Sequence, residues 1–584
     1  MSKGFLNNPQ RRRALIKGGV LASGLAALGS AATHSFAETE APTQHWDYEV
    51  DVVCVGSGAA ACSAAITAAS QGASVILVEK LPVAGGTTSK SGGVAWIPNN
   101  HFLRERGVTD SKTDCLRFLA RLAYPQRYTP DSATLGLSEP DYKLLEAFYD
   151  NAAPMMESLE REKVVTFQPF TMWSVNKLAP DYADHLPENK VPFGRAVEPA
   201  AGAGAVGGSA LAAQLHKWLT NHRIPVLLEH RVAKLVKDHE TGRIIGIEAK
   251  TDEKVVRIRA HKAVIFGTGG YAHNTELIGY HQAGLYGSCA VSGSTGDFID
   301  IATSAGARLG AMYTAWRCQV VLEEALENRF LPSGAYVLPG DSMILVNRFG
   351  RRIVNEKLNY NDRTQSHFIF DPVGKTYPNQ LQFMIFDQRT LDAFGGDFPI
   401  PADPANYPYL ISARNPAELA SKVSERLSKI APKTGDVVLD SAWATTLTKT
   451  IARYNEFART GKDLDFERGA HAYDRDWHLL FSARRQGTRQ EPNTMPNVTM
   501  HPIASGPLYA IILGAGALDT NSGPAINEHA QVLDVGDRPI PGLYGAGNCI
   551  ASPARGAYYG AGGTIALALT YGYIAANHAL KENV

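Results

Sequence analysis

The residues from 50 to 79 constrain the fold of this chain more than any other stretch. The apolar run VDVVCV at 50–55 is typical of a buried parallel strand, and GSGAAA follows it directly at 56–61. An alanine-rich helix, a second apolar strand and Glu79 complete the unit. A G-x-G-x-x-A sequence between a strand and a helix, with an acid after the next strand, predicts a dinucleotide-binding βαβ unit.

Each residue type in this unit has a physical role toward a dinucleotide. Gly56 allows a tight turn, and Gly58 lets a pyrophosphate approach the backbone at the start of a helix. Glu79 can accept hydrogen bonds from ribose hydroxyls. We therefore expect the cofactor to contact Gly56, Ser57, Gly58, Ala59, Ala60, Glu79 and Lys80.

A second glycine-rich loop, GGTTSKSGG, follows at 85–93. Small hydroxyl residues between glycine pairs can bring backbone and side-chain donors against a flat polar ring. NAD enzymes have no need of such a loop. The pattern favours a cofactor with such a ring, held by Gly86, Thr87, Thr88, Ser91, Gly92 and Gly93.

A third glycine-rich stretch lies at 541–575, where a short strand runs into a loop that ends in GAGG at 560–563. The apolar run at 564–576 predicts a buried helix. The amides at the start of that helix suit an electron-rich group, such as a phosphate, an enolate oxygen or a reduced flavin ring. Because Tyr558 and Tyr559 stand immediately before this start, we expect a cofactor and a substrate cavity to be built against the loop.

Composition excludes several classes of partner. The 57 basic and 57 acidic residues balance, so nothing indicates a nucleic acid or an acidic surface as partner. The six cysteines form no CxxC or CxxCH pattern, which removes the case for zinc, a c-type haem or a thioredoxin-like site, and we expect no metal. Cys54 and Cys62 lie on the predicted strand and helix, so we interpret them as small core residues.

The N-terminal residues 1–37 are predicted to be a twin-arginine signal peptide. RRRALIK at 11–17 is followed by a mildly apolar run at 18–29 and by SFA at 35–37 as the cleavage site. The apolar run is too short and too rich in Gly and Ala for a stable membrane span. The pattern predicts a periplasmic or otherwise exported protein, which folds and loads its cofactor before export. Removal of the peptide takes off five basic residues and leaves 52 against 57 acidic ones, so the mature chain is slightly acidic.

The rest of the chain shows two kinds of composition. Alternating residues predict a hairpin at 230–236 and 243–250, with a possible further strand at 255–258 and a separate buried strand at 263–266. From about 312 to 510, tyrosines, prolines and charged residues increase, and a hairpin with its turn at Phe349-Gly350 is predicted within 347–356. We therefore expect a dinucleotide-binding domain in two parts, 38–311 and 511–584, interrupted by a substrate and catalytic domain at 312–510.

Over nearly its whole mature length the chain resembles the FAD flavoproteins of the fumarate reductase and 3-ketosteroid dehydrogenase superfamily. The ketosteroid branch fits best, through WIPNNHFL at 96–103 and DYADHLPENKVPFGRAVEP at 181–199. The other matching segments are GSGAAACSAA at 56–65, VEK at 78–80, GGTTSKSGGVAWIPNN at 85–100, GTGGYAHN at 267–274, STGD at 294–297, RRIVNE at 351–356 and GLYGAGN at 542–548.

This resemblance implies an α/β fold with a Rossmann-like FAD-binding domain of the GR2 type and an inserted α+β substrate/catalytic domain. It implies non-covalent FAD and, as substrate, an apolar small-molecule ketone, namely a 3-ketosteroid or a similarly bulky cyclic ketone, with a quinone or a redox protein as electron acceptor. Further cofactor contacts implied by the matching motifs are Gly269, Gly270, Asp297, Gly547, Asn548, Thr564 and Ile565.

The same resemblance implies catalytic roles in desaturating a carbon–carbon bond beside a ketone. Tyr558 and the Gly562 amide, four positions apart, match the family's donors to the carbonyl oxygen, and Tyr360 matches its proton-abstracting tyrosine. Tyr559 competes with Tyr558 for the place facing the cavity. A further active-site tyrosine of the family corresponds to Tyr124 or Tyr128. A phenol has an unperturbed pKa of about 10, so Tyr360 needs a cation or a relay to act near neutrality, and Arg363 is close enough in sequence to assist it.

Two other functions compete with the ketone dehydrogenase. One is a periplasmic reductase of an unsaturated carboxylate, like fumarate or urocanate reductases, with Arg363 and Arg555 as carboxylate binders. The segment GALDTN at 516–521 lacks that group's histidine-rich sequence. The other is a non-catalytic flavin redox carrier. The chain also departs from the family pattern, since neither Tyr559 nor Ala561 is proline and Phe298 stands where glycine is usual.

Overall fold

The predicted βαβ unit begins the larger of the sheets in the computed structural model, which describes residues 45–172, 176–201, 205–482, 493–504 and 506–582. The strand Tyr48–Val55 leads into the helix Ala59–Ser70 and the parallel strand Val75–Val78. Val55 pairs with Val78 in this register, so the turn at Gly56 and the end of the second strand lie at the same edge. The predicted signal peptide lies outside the described residues.

The larger sheet has eight strands and a mainly parallel centre. Its main path runs Gln531–Leu533, Pro539–Gly545, Val255–Phe266, Tyr48–Val55, Val75–Val78 and Val226–Leu227, with the strands Arg231–Lys237 and Ile244–Lys250 attached as the predicted antiparallel hairpin.

The prediction of separate strands at 255–258 and 263–266 is wrong. One continuous strand, Val255–Phe266, pairs antiparallel with Ile244–Lys250 through its first half and parallel with Tyr48–Val55 along most of its length. Its residues alternate between buried and accessible in the first half and are all buried at the end. The strand thus passes from the hairpin into the sheet interior without a break, which explains the change in pattern that suggested two strands.

A second sheet of six strands is centred on the long strand Leu508–Thr520. The other strands are Leu285–Ser288, Ala315–Val321, Met343–Val346, Gln382–Asp387 and Ile411–Ala413. The helices Pro416–Thr434 and Trp443–Thr460 share an apolar core with it. The strand Leu285–Ser288 precedes residue 312, and the central strand continues past residue 510. This sheet therefore contains residues from both predicted domains, and the domain boundaries at 312 and 510 stay predictions.

The hairpin predicted within 347–356 is reduced to a single bridge between Val346 and Arg352. The turn itself forms, with the Asn347 side chain accepting from the amides of Phe349 and Arg351. No second strand follows in this part of the structure, because Arg352 turns inward to pair with Glu356. The chain then enters the helix Tyr360–Gln365.

Two helices bring the N-terminal and C-terminal glycine-rich segments together. The C-terminal helix Gly563–Lys581 packs on Ala59–Ser70 so closely that a Cβ on Gly572 would stand 2.3 Å from the Ala60 carbonyl oxygen. Other helices are His101–Glu105, Lys112–Ala123, Glu139–Arg161, Gly207–Asn221, Thr275–His281, Asp297–Ser304, Leu322–Glu327, Gln388–Phe394 and Ala472–Ser482, and small strands lie at Ala95–Trp96, Phe167–Pro169, Thr171–Met172, Lys177–Leu178 and Ala196–Pro199.

All six cysteines are buried with free thiols, as expected for Cys54 and Cys62. Within the described ranges, no helix combines the length and the apolarity that a membrane crossing requires. In the same ranges, no three His, Cys, Asp or Glu side chains converge in a way that could hold a metal ion.

Candidate active site

A cavity of about 630 Å³ lies at the carboxyl ends of the parallel strands. Val55, Val78 and Phe266, the last residues of three neighbouring strands, all line it. Ligands bind at this edge in open α/β sheets, and the volume falls within the roughly 300–1,000 Å³ typical of ligand pockets. The cavity extends from Glu79 at one end to a cluster of tyrosines at the other.

The turn at 56–60 forms the wall expected to hold a pyrophosphate. Gly56 has a φ of +104°, and a Cβ there would stand 2.5 Å from the Gly267 carbonyl oxygen, so only glycine fits. Gly58 is the N-cap of Ala59–Ser70 and provides no side-chain cap. A helix N-terminus of this kind suits a phosphate. The predicted contacts Gly56, Ser57, Gly58, Ala59 and Ala60 all line the cavity.

Glu79 is buried and oriented by two local hydrogen bonds. One carboxylate oxygen accepts from the Ser57 hydroxyl at 2.6 Å and the other from the Leu81 amide at 2.9 Å. Each oxygen keeps further acceptor capacity, so the carboxylate can still receive ribose hydroxyls.

Lys80 and Asp297 form an ion pair that Arg231 extends toward solvent. Lys80 Nζ lies 3.0 Å from Asp297 Oδ2, and Arg231 donates to both Asp297 oxygens at 2.9 and 3.0 Å. Thr295 also donates to Asp297, at 2.7 Å. We call Lys80, Arg231 and Asp297 the clasp. Asp297 lines the cavity as predicted, with its carboxylate engaged by these neighbours.

The second glycine-rich loop is a short 3₁₀ turn, Gly86–Lys90, pressed between two helices. Thr88 Oγ1 accepts from the Ala59 amide at 2.9 Å, and a Cβ on Gly93 would stand 2.3 Å from the Gly207 carbonyl carbon. These contacts place the loop against the Gly58 turn. All six predicted residues line the cavity, namely Gly86, Thr87, Thr88, Ser91, Gly92 and Gly93.

The loop before the C-terminal helix forms the opposite wall. Asn548 Oδ1 accepts from Trp316 Nε1 at 2.8 Å, and Gly562, with a φ of +90°, is the N-cap of Gly563–Lys581. The predicted residues Gly269, Gly547, Asn548, Gly562, Thr564 and Ile565 line the cavity. A helix N-terminus with glycine as its N-cap residue at each wall, an oriented acid and a tight polar loop fit the phosphates, ribose and flat ring of FAD.

The structure does not support the predicted cofactor contact at Gly270. It does not belong to the cavity lining, and its amide donates to Asp519 Oδ2 at 2.9 Å. A Cβ there would stand 2.3 Å from the Thr520 carbonyl oxygen. Glycine is needed at this position for close approach of the chain to the strand Leu508–Thr520, while Gly269 next to it faces the cavity.

Tyr558 faces the cavity and Tyr559 does not. The Tyr558 ring lies 5.4 Å from the Tyr360 ring and 5.1 Å from that of Trp316. Tyr559 is directed into the core, with its ring 5.5 Å from that of Trp96, and its hydroxyl has no hydrogen-bond partner. The expectation that Tyr559 is a catalytic residue is therefore not supported by its position.

Tyr360 begins the helix Tyr360–Gln365 at the end of the cavity. The Tyr182 hydroxyl donates to the Tyr360 hydroxyl at 3.1 Å. Burial raises the pKa of Tyr360 well above its ordinary value of 10. Burial also raises the pKa of Tyr558, so its hydroxyl remains a donor at neutral pH.

The two arginines considered as assistants or carboxylate binders are engaged elsewhere. Arg363 is fully buried and donates to Gln319 Oε1 at 2.7 Å and to the Leu358 carbonyl at 2.8 Å. Arg555 pairs with Asp141 at 2.9 Å. Neither lines the cavity, and no arginine does so among the residues that the structure describes.

Tyr124 and Tyr128, the two candidates for a further active-site tyrosine, also lie outside the cavity lining. The Tyr124 hydroxyl is oriented toward Asp141 and the Pro553 carbonyl. The tyrosines that join Tyr360 and Tyr558 in the cavity are Tyr182 and Tyr336. Tyr182 lies in the segment 181–199 that carries the family resemblance. Helical or strand periodicity did not identify it as a site residue.

Apolar rings complete the tyrosine end of the cavity. Phe170, Trp316 and Trp477 line it, and the Trp477 ring lies 6.1 Å from that of Tyr182 and 6.2 Å from that of Phe170. The arrangement offers phenol donors to an oxygen of a substrate whose remaining surface is apolar.

Comparison with protein families matches residues 51–565 to the family described as FAD binding domain. The chain is 32% identical over 595 residues to a 3-oxosteroid 1-dehydrogenase of Mycolicibacterium smegmatis, covering 90% of this chain and 96% of that protein. It is 30% identical over 580 residues to a 4-oxocyclohexanecarboxylate 2-dehydrogenase of Sinomonas cyclohexanicum, covering 90% and 92%.

Among solved structures, the chain is similar to a 3-ketosteroid delta1-dehydrogenase from Sterolibacterium denitrificans in complex with 1,4-androstadiene-3,17-dione. The TM-score is 0.72 and the sequences are 26% identical. The similarity covers 91% of this chain and 99% of that one.

Proposed function

The chain belongs to the FAD binding domain family, and from this premise we propose that it is an FAD-dependent dehydrogenase of a cyclic ketone. The reaction removes two hydrogens from the carbon–carbon bond beside the carbonyl group. The substrate class that we propose is a 3-ketosteroid or a similarly bulky cyclic ketone. The observation that carries this proposal is the grouping of Tyr558, Tyr360 and Tyr182 at one end of the cavity that fits FAD.

The residues expected to hold FAD are the two glycine-rich loops, Glu79 and the start of the C-terminal helix. When bound, FAD supplies the acceptor for the hydride that leaves the β carbon. The chain's own residues have three further tasks, which are to polarise the carbonyl, take the α proton and exclude water.

Tyr558 and the Gly562 amide suit the first task. The Tyr558 hydroxyl is buried and protonated, and Gly562 precedes the first turn of a long helix, where amides carry partial positive charge. Donors aimed at a carbonyl oxygen stabilise the negative charge that develops there when the α proton leaves. They thereby acidify the neighbouring C–H bond.

Tyr360 suits the second task, with Tyr182 as its partner. Burial disfavours the charged phenolate, and the pKa of Tyr360 is raised for this reason. Because Tyr182 lies within hydrogen-bond distance, it can donate to Tyr360 Oη once that oxygen is deprotonated. Phe170, Trp316 and Trp477 exclude water around these groups and favour an apolar substrate body.

The relatives named in the comparison act, by their names, on a 3-oxosteroid and on a 4-oxocyclohexanecarboxylate, both of them cyclic ketones. An unsaturated-carboxylate reductase would need paired cations in the cavity. Arg363 and Arg555, the two that we considered for this role, are engaged outside it. A redox carrier would have no use for a cavity lined by aromatic rings beside the cofactor site.

The proposed location is the periplasm or the exterior, reached through the twin-arginine segment at 11–17. A quinone or a small redox protein is the proposed electron acceptor. An exported flavoenzyme is separated from the nicotinamide pools of the cytoplasm, which favours such an acceptor.

Anaerobic reduction of the bound flavin by candidate substrates tests the function. A panel should pair 3-ketosteroids and substituted cyclohexanones with fumarate-like and urocanate-like acids, the latter offered to chemically reduced enzyme. We expect bleaching of the flavin absorbance by ketones and no reoxidation by the acids. Reoxidation by an unsaturated acid, without bleaching by any ketone, would establish the reductase instead.

A further inference from the structure

A buried ion network lies behind the tyrosine end of the cavity. Arg195 has no exposed surface, and its Nε and Nη2 atoms each donate to Asp110 at 2.8 Å. Its Nη1 atom donates to Asp181 at 2.8 Å and to Asn189 at 2.9 Å. We call Arg195, Asp110 and Asp181 the buried triad. None of its members lines the cavity.

Asp181 connects the triad to the segment that carries Tyr182. It precedes Tyr182 in sequence, and its backbone amide donates to the Pro192 carbonyl at 2.8 Å. Its side chain also accepts from Trp96 Nε1 at 2.7 Å. The carboxylate is thus held by donors from Trp96, Asn189 and Arg195, and the next residue is the partner of Tyr360.

The same carboxylate supports the loop that carries Tyr558. A Cβ on Gly560 would stand 2.9 Å from Asp181 Oδ1 and 2.5 Å from Trp96 Cδ1, so the loop lies directly on these two side chains. The Tyr182 amide also donates to the Tyr559 carbonyl at 3.1 Å. The two segments that carry catalytic hydroxyls therefore meet on Asp181.

The chemistry of the triad argues against a purely supportive role. Two carboxylates share one guanidinium, and burial raises the pKa of Asp181 to about 6 while Arg195 opposes that rise. Apolar residues can fill such a space at no electrostatic cost, whereas a fully hydrogen-bonded network defines one geometry. Arg195 is suited to this task because its planar fork reaches both carboxylates at once.

We propose that Arg195 is a positioning residue for the dehydrogenation, which holds Asp181 so that Tyr182 and Tyr558 keep their placement around Tyr360. This inference rests on the proposed function, since its effect on turnover passes through these tyrosines. The residue acts at a distance and contacts neither the cavity nor its contents. Its contribution is geometric.

Arg195→Lys tests the proposal because it keeps the charge and removes the fork. Misplacement by about 1 Å can cost on the order of 10²-fold in rate, and we expect a fall of about that size in flavin reduction by substrate, chiefly in kcat. FAD content should be unchanged. Guanidinium added at low millimolar concentration should raise the rate of flavin reduction in Arg195→Ala by about tenfold or more over the rate of that variant without guanidinium.

Arg352 provides a matched control. It is also buried and pairs with two carboxylates, Glu356 at 2.8 Å and Asp463 at 2.7 Å, but it does not line the cavity. Arg352→Lys should keep its rate per bound FAD, and guanidinium should not accelerate Arg352→Ala. Hydrogen exchange measured by mass spectrometry should be faster at 178–190 and 556–563 in Arg195→Lys only.

An Arg195→Lys variant that holds FAD and is reduced at the wild-type rate would overturn the proposal. If that variant fails to hold FAD, Asp181→Asn, which preserves volume, takes its place with the same expectation and the same contrary outcome. If no ketone reduces the wild-type flavin, the proposed function fails. Hydrogen exchange then decides this inference alone, and equal exchange in the Arg195 and Arg352 variants would reject it.

Discussion

The hydroxyl of Tyr182 donates to the hydroxyl of Tyr360 at 3.1 Å, across 178 positions of sequence. The two rings meet edge to face, with centroids 5.5 Å apart and planes inclined by 74°. The steep inclination of the rings brings the two hydroxyls within hydrogen-bond distance. It places a hydrogen-bond donor beside the residue that we propose as the base.

Replacing Tyr360 by Phe should slow flavin reduction and remove its dependence on alkaline pH. Because burial holds the pKa of Tyr360 well above 10, the phenolate fraction is small at neutral pH and grows as the pH rises. Wild-type flavin reduction should therefore accelerate with pH. Stopped-flow reduction from pH 6 to 10 measures this, and a retained rise in Tyr360→Phe would assign the base elsewhere.

Tyr182→Phe should shift that rise to higher pH without abolishing it. The variant keeps the ring and removes the donor that stabilises deprotonated Tyr360, so its pKa increases. The same stopped-flow series applies. A pH profile identical to the wild type would show that the Tyr182 hydroxyl has no part in proton transfer.

Tyr558→Phe should lower turnover on the order of 10²–10³-fold, because it deletes one donor to the developing oxyanion. FAD content and spectrum should be unchanged. Tyr559→Phe is the matched control one position away. It removes a buried hydroxyl without a partner, so activity should persist and the thermal midpoint should be equal or higher. Loss of activity in the control alone would reverse the assignment.

Replacing Arg12 and Arg13 by Lys should trap the protein in the cytoplasm, since twin-arginine export depends on that pair. Cell fractionation with a cytoplasmic marker enzyme measures the distribution. The matched change Lys17→Arg keeps the charge outside the pair and should leave export intact. An unchanged distribution of the double variant would reject the signal peptide.

The sequence predicted the cofactor half of the site better than the substrate half, for a physical reason. Gly56 and Gly58 carry a local signal, because the turn between a strand and a helix demands glycine wherever a phosphate approaches. Glu79 follows from the same unit at a fixed spacing. These residues all line the cavity, and their prediction requires no knowledge of long-range packing.

The substrate half depends on contacts that no local pattern contains. Tyr182 lies in an irregular segment and contacts Tyr360, a residue 178 positions away in sequence. Neither helical nor strand periodicity applies at 558–559, so the orientation of Tyr558 and Tyr559 could not be predicted. Arg363 was misjudged because its hydrogen-bond acceptors, mostly backbone carbonyls, become visible only in the folded chain.

Glu79→Gln should weaken FAD retention by about 10–100-fold, because hydrogen bonds to a charged acceptor contribute roughly 1.5–3 kcal/mol. The amide keeps the size and one acceptor oxygen. Titration of the apoprotein with FAD, followed by quenching of flavin fluorescence, gives the Kd. Glu248→Gln, on the hairpin paired with Arg257, is the control and should bind FAD normally. Equal affinity in both variants would remove Glu79 from the cofactor site.

The clasp of Lys80, Asp297 and Arg231 should slow release of FAD in a salt-dependent way. Its outer member is largely exposed, with 64% of the Arg231 side chain accessible, so the pair with Asp297 is screened by salt. Wild-type FAD release should accelerate by a few fold between 0.05 and ~1 M salt. At low salt, Arg231→Gln should already release FAD at the rate that the wild type reaches at high salt, and added salt should accelerate release from the variant little further. The measurement is the growth of FAD fluorescence after dilution, which requires no substrate.

Arg259→Gln is the control, and it should behave like the wild type. Its partner Glu49 lies near the start of the strand Tyr48–Val55, at the end remote from the cavity. Equal salt dependence in Arg231→Gln and the wild type would show that the clasp does not restrain the cofactor.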